Sequence, residues 1–131
     1  DHIWFDFLNK KFRHFRDPSD GKKILRSLLK DLSIEPDLDL QIELLHFMLE
    51  SFDRRSFLYL VEKTALLLKV EEDFIDLMAI VSEYYRRLDQ EDLQEKIEIL
   101  IENRQDRSEK EAFHHKDSDF QEFVHIMDLF R

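Results

Sequence analysis

Two Glu-x-x-His pairs, Glu43 with His46 and Glu122 with His125, carry the most suggestive donor chemistry in the chain. Positions i and i+3 share a helix face, so each pair offers a carboxylate and an imidazole to one metal ion, as in di-iron carboxylate bundles. Such a centre also takes an inward Glu from each of two further helices. Glu62 and Glu83 are of the right type, but neither lies in the middle of an apolar stripe. Fourteen Glu and six His in 131 residues give roughly 0.6 such pairs by chance, so two carry little weight. A di-metal bundle on these four residues is the alternative; the leading reading has no metal and no cofactor.

Other constellations are weaker. His46-x-x-x-Glu50 is similar to one ligand pair of the hemerythrins, which also need a His-x-x-x-His pair that this chain lacks. His114-His115 stands beside Asp117 and Asp119 in a polar stretch, where an exposed loop is a poor cage for a metal. The absence of Cys removes thiol nucleophiles, Cys-ligated zinc and disulfides, and favours a reducing compartment. No Ser sits in a Gly-framed elbow, and the single glycine, Gly21, rules out Gly-rich phosphate loops. The expectation is a protein that is not an enzyme.

The elements that would position these groups read as helices. Apolar residues recur at helical spacing in seven stripes, among them Ile24, Leu25, Leu28, Leu29 and Leu32 in the second. The third runs from Leu38 to Phe52 and the fourth from Phe57 to Leu68. The fifth runs from Phe74 to Leu88, the sixth holds Leu93, Ile97 and Leu100, and the last runs from Phe120 to Phe130. Ile3 to Phe15 form the first. Asp17-Pro18-Ser19-Asp20 reads as a helix start, with Asp17 as N-cap and Pro18 at the first helical position. Ser33 to Pro36 ends one helix, because proline disfavours helix at Glu35. Glu71-Glu72-Asp73 puts acid at a helix N-terminus, where the dipole favours it. The fold class is therefore all-α, an orthogonal or up-down bundle of five to seven helices, with Leu25, Leu28, Leu45, Leu49, Val61 and Val81 in its core.

Within this frame the bundle covers 1–103. Residues 104–119 hold only Ala112 and Phe113 as apolar residues and read as a polar mobile linker. Residues 120–131 read as a C-terminal helix docked on the bundle. The chain starts at Asp1 without an initiator Met, as a piece of a longer protein would. No apolar run is long enough to span a membrane.

Charge is uneven. Residues 9–30 hold eight basic and two acidic side chains, and 31–131 hold twelve basic and twenty-six acidic, within a total of −10. An acidic body disfavours nucleic acid as a partner. The run Lys10-Lys11-Phe12-Arg13-His14-Phe15-Arg16 interleaves bases with aromatics, but Phe12 and Phe15 continue an apolar stripe and are not free to stack on bases. Twelve Phe is high for this length, and Phe5, Phe47, Phe113 and Phe120 lie at stripe edges or outside them, suiting either a Phe-rich core or an interface. The expected partner is another protein, met through Phe5, Lys10, Arg13, Arg16, Lys22 and Lys23.

Residues 12–52 resemble the N-terminal helical region of type III secretion gatekeepers. The resemblance rests on Phe12-Arg13-His14-Phe15-Arg16 running into Asp17-Pro18-Ser19-Asp20, on Leu25-Arg26-Ser27-Leu28-Leu29 beyond it, and on Gln41-Ile42-Glu43-Leu44-Leu45 in the next helix. It implies a cytoplasmic, non-enzymatic regulator that binds chaperones, translocator–chaperone complexes or the export apparatus. The small-residue segment expected after this helix pair is missing beyond Phe57, and gatekeepers are much longer. Leu66 to Phe74 is similar to the tellurite-resistance helical domain, but that family's acidic Asp-Gly metal loop is missing.

Overall fold

Six helices account for the apolar stripes among the residues that the computed structural model describes. These are 18–51, 54–108 and 110–131, with side chains described for 26–49, 54–108 and 110–131. They are α1 Pro18–Ile34, α2 Leu38–Ser51, α3 Arg54–Ala65, α4 Glu71–Arg87, α5 Glu91–Asn103 and α6 Ser118–Phe130. No strand occurs among the described residues, and the one β-type contact is an isolated bridge between Val70 and Ala112. The protein is an all-α helical bundle. The stripe from Ile3 to Phe15 and the Asp17 cap lie outside the described residues.

The chain's contacts group into two units, 1–60 and 61–131. In the first, α1 and α2 pack together. Their apolar faces bury Leu32, Leu44, Leu45 and Met48. Leu28 and Leu49, expected in the core, are only half-buried. Pro36 sits between the two helices, and Asp37 starts the second. Its Oδ1 accepts the Leu40 amide at 3.1 Å, while Gln41 Oε1 accepts the Asp37 amide at 3.1 Å. This reciprocal arrangement satisfies amides that a helix start leaves without intrahelical partners.

In the second unit α4 is the central element. It packs against α5, and α5 packs against α6. Its stripe is wide: Phe74, Leu77, Met78, Ile80, Val81, Tyr84 and Tyr85 are all buried. Phe74 meets Phe113, Phe120 and Phe123 with ring centroids 4.8–5.8 Å apart. Tyr85 meets Phe130 at 4.9 Å, and its hydroxyl donates to Met127 Sδ at 3.2 Å. Phe113 and Phe120 are thus core residues of this unit. The turn after α4 is a Schellman motif: the Gln90 amide donates to the Tyr85 carbonyl at 2.9 Å and the Asp89 amide to Arg86 at 3.2 Å. Asp89 takes the left-handed position (φ 56°) usually filled by glycine.

Candidate functional site

The most concentrated polar chemistry of the second unit surrounds Arg104, which has 0% exposure at the C-terminal cap of α5. Its Nε donates to Glu71 Oε2 at 2.8 Å and its Nη2 to Glu71 Oε1, a bidentate pair with a carboxylate only 1% exposed. Nη1 donates to Asp117 Oδ1 at 2.7 Å and to Asp119 Oδ2 at 3.0 Å. The guanidinium also stands 4.9 Å from the Phe74 ring centroid, a distance at which the ring face attracts a cation. Arg107 closes the outer side, 3.2 Å from Asp117 and 3.4 Å from Glu71.

Local structure places each member. Glu71 opens α4, and Asp117 is the N-cap of α6, where its side chain accepts the Asp119 amide at 2.9 Å. Backbone bonds from the Glu71 amide to the Glu111 carbonyl and from the Phe113 amide to the Lys69 carbonyl, both 2.9 Å, tie the intervening segment to the start of α4. Burial opposes the Arg104 charge, but hydrogen bonds to Glu71, Asp117 and Asp119 outweigh it and hold its pKa above the ordinary value. The Arg104 hydrogen bond in turn pulls Asp117 down to about 2, against some desolvation. The cluster joins α4, α5 and α6 through the buried Arg104–Glu71 pair, with Asp117, Asp119 and Arg107 on its partly exposed side.

The segment 104–119, expected as a polar linker, therefore carries a wholly buried arginine and the buried Phe113. A second anchor is His115, whose Nε2 donates to the Ala65 carbonyl at 3.0 Å while its ring meets Phe113 and Phe120 edge-on. Counting apolar residues misses such anchoring, because its strongest member is a charged side chain.

A surface groove lies where the end of α3 meets α6, with a volume of about 320 Å³. Val61 and Ala65 of α3 and Phe123 and Met127 of α6 are buried residues on its lining. Leu66 is 67% exposed and Val124 38% exposed beside them. Val124, read as part of the last apolar stripe, turns out to lie on the accessible side of that stripe. Glu62 and Asp128 supply the carboxylates of the lining. Arg131 pairs with Glu62, and its Nε stands 3.9 Å from Asp128 Oδ1. Chemically the groove is an apolar trough with acid on its rim. A wider concavity of about 460 Å³ in the first unit lies between the end of α1 and the start of α2, lined by Leu28, Leu32, Ile34 and Leu40 with Asp31 and Asp37.

The Glu-x-x-His residues fall outside both the cluster and the groove. Glu43 is half-buried and His46 exposed on α2; Glu122 and His125 are both exposed on α6. Among the described residues no group of three or more His, Asp or Glu side chains is arranged to hold a metal ion. Glu83 pairs with Arg86 and Arg87 on the surface of α4, and its hydrogen bonds to them lower its pKa to about 2. Lys22 and Lys23 belong to α1, with side chains outside the described set. Phe5, Lys10, Arg13 and Arg16 lie outside the described residues. Among the described residues no helix is long and apolar enough to cross a membrane.

No family model, curated protein or solved structure matches the chain.

Proposed function

We propose that this chain is a non-enzymatic helical protein–protein interaction domain and that the α3–α6 groove is its contact surface. The observation that carries the reading is the groove itself: exposed Leu66 and Val124 flank buried Phe123 and Met127. Apolar side chains held beside a packed aromatic core are the usual material of an interface centre, with charged residues at the rim. The resemblance of residues 12–52 to secretion gatekeepers gives the partner a class: a chaperone or a component of the export apparatus, met in the cytoplasm.

The test is capture of partners from the source cells by the wild-type chain and by Val124→Glu, followed by mass spectrometry. A glutamate at this exposed position leaves the core intact and puts a charge into the trough. Loss of a specific partner from the variant is the expected result. Identical partner sets would remove the groove from the interface.

A further inference from the structure

The groove's chemistry defines what fits it, granted the reading of the groove as an interface. We infer that it takes the apolar face of an amphipathic helix from a partner protein, flanked by a lysine or arginine that meets Glu62 and Asp128.

Secondary structure favours a helical occupant over a pairing strand. Both walls are helices, α3 and α6, so no strand edge is offered for main-chain pairing. An extended segment would enter an apolar trough with unsatisfied amides, which is costly. A helix satisfies its own backbone and brings only side chains. The groove runs along α6 from Phe120 to Asp128, a rise of about 12 Å, which matches about two turns of a partner helix. Two turns present anchors at i, i+3 or i+4, and i+7.

Charge selects the flank. The unit 61–131 holds ten basic and nineteen acidic side chains, so a cationic partner is steered towards it. A second copy of the same acidic unit is disfavoured by like charge. The rim already accommodates a guanidinium: Arg131 reaches Glu62 of α3 and approaches Asp128 of α6. A partner's basic side chain would compete for these carboxylates. Arg131 therefore acts as a resident occupant of the cation position, and its removal strengthens binding.

The probe is a displayed library of helical peptides of about fifteen residues, near the length at which an isolated helix becomes stable in water. One face is randomised, and selection is run on the full wild-type chain against Val124→Glu as counter-target. Enriched sequences should carry apolar residues at i, i+4 and i+7 with flanking Lys or Arg. Exchanging those basic residues for Glu should weaken binding about tenfold or more. Arg131→Ala should tighten it, and Glu62→Lys with Asp128→Lys should switch preference to Glu-flanked helices.

Enriched helices that bind the groove with no basic preference, and ignore the rim reversal, would overturn the inference while leaving the interface reading intact. Absence of any peptide that distinguishes wild type from Val124→Glu would also overturn it. If the partners captured from cells are equally indifferent to Val124→Glu, the interface reading fails too.

Discussion

Replacing Arg104 by methionine removes the guanidinium and keeps much of the aliphatic volume, so the loss reports the ion cluster and little of the packing. The charge left behind is Glu71, which is 1% exposed and retains only Arg107 at 3.4 Å. Removing one partner of a buried pair costs about 3–5 kcal/mol, because the other charge stays buried without compensation. Asp117 and Asp119 lose a donor as well, but they are partly exposed and recover water. The expected loss for Arg104→Met is therefore about 3–5 kcal/mol at neutral pH, read by urea unfolding followed by far-UV circular dichroism. Removing Glu71 too, in Arg104→Met with Glu71→Leu, should cost less than the single change, since no buried charge remains. The loss also depends on pH. The Asp117 pKa is held at about 2 in the folded chain, below its usual 3.8. A depressed carboxyl contributes stability above its unfolded pKa and loses it as pH falls through the folded one. The difference between wild type and variant should thus narrow between about pH 5 and pH 2. A loss below about 1 kcal/mol at neutral pH, the range of exposed ion pairs, would refute the reasoning.

Phe123→Ala should cost about 3–5 kcal/mol in the same unfolding assay, because its ring is 1% exposed and packs on Phe74 and Phe120. Leu28→Ala should fall clearly below the fully buried range, since Leu28 is half-buried. Asp117→Asn keeps a side-chain acceptor for the α6 cap but weakens the pairing to Arg104, so it should lose less than Asp117→Ala, which also forfeits a cap worth about 0.5–2 kcal/mol. Asp89→Gly should raise stability by up to about 1 kcal/mol, because glycine adopts the left-handed position after α4 without the Cβ penalty; thermal unfolding would register it.

The helices were legible because their signals are local. The apolar stripes give α1 to α6 in order, Pro18 and Pro36 mark the first helix and its successor, and Glu71 to Asp73 open α4 as an acidic first turn. The Arg104 cluster was not legible. Its partners lie 33, 13 and 15 residues away, in segments that no periodicity relates. Within a polar run a buried arginine looks like a solvated one. The available hint was Asp117-Ser118-Asp119 directly before an apolar stripe, an N-cap pattern that also fits a loop. The groove was hidden for another reason: it exists only where α3 and α6 meet. Spacing makes Val124 a stripe residue, and only the packed structure shows that its side of the stripe is open.

The most direct test of the interaction reading is site-specific photocrosslinking in the source cells. A photoreactive residue is placed at Val124 in the groove and, as control, at Ile99, which is exposed on α5. A defined partner crosslinked from position 124 and absent from position 99 is the expected result. Crosslinking to no protein at 124, or to the same proteins at both positions, would contradict the assignment of the α3–α6 groove as the interface.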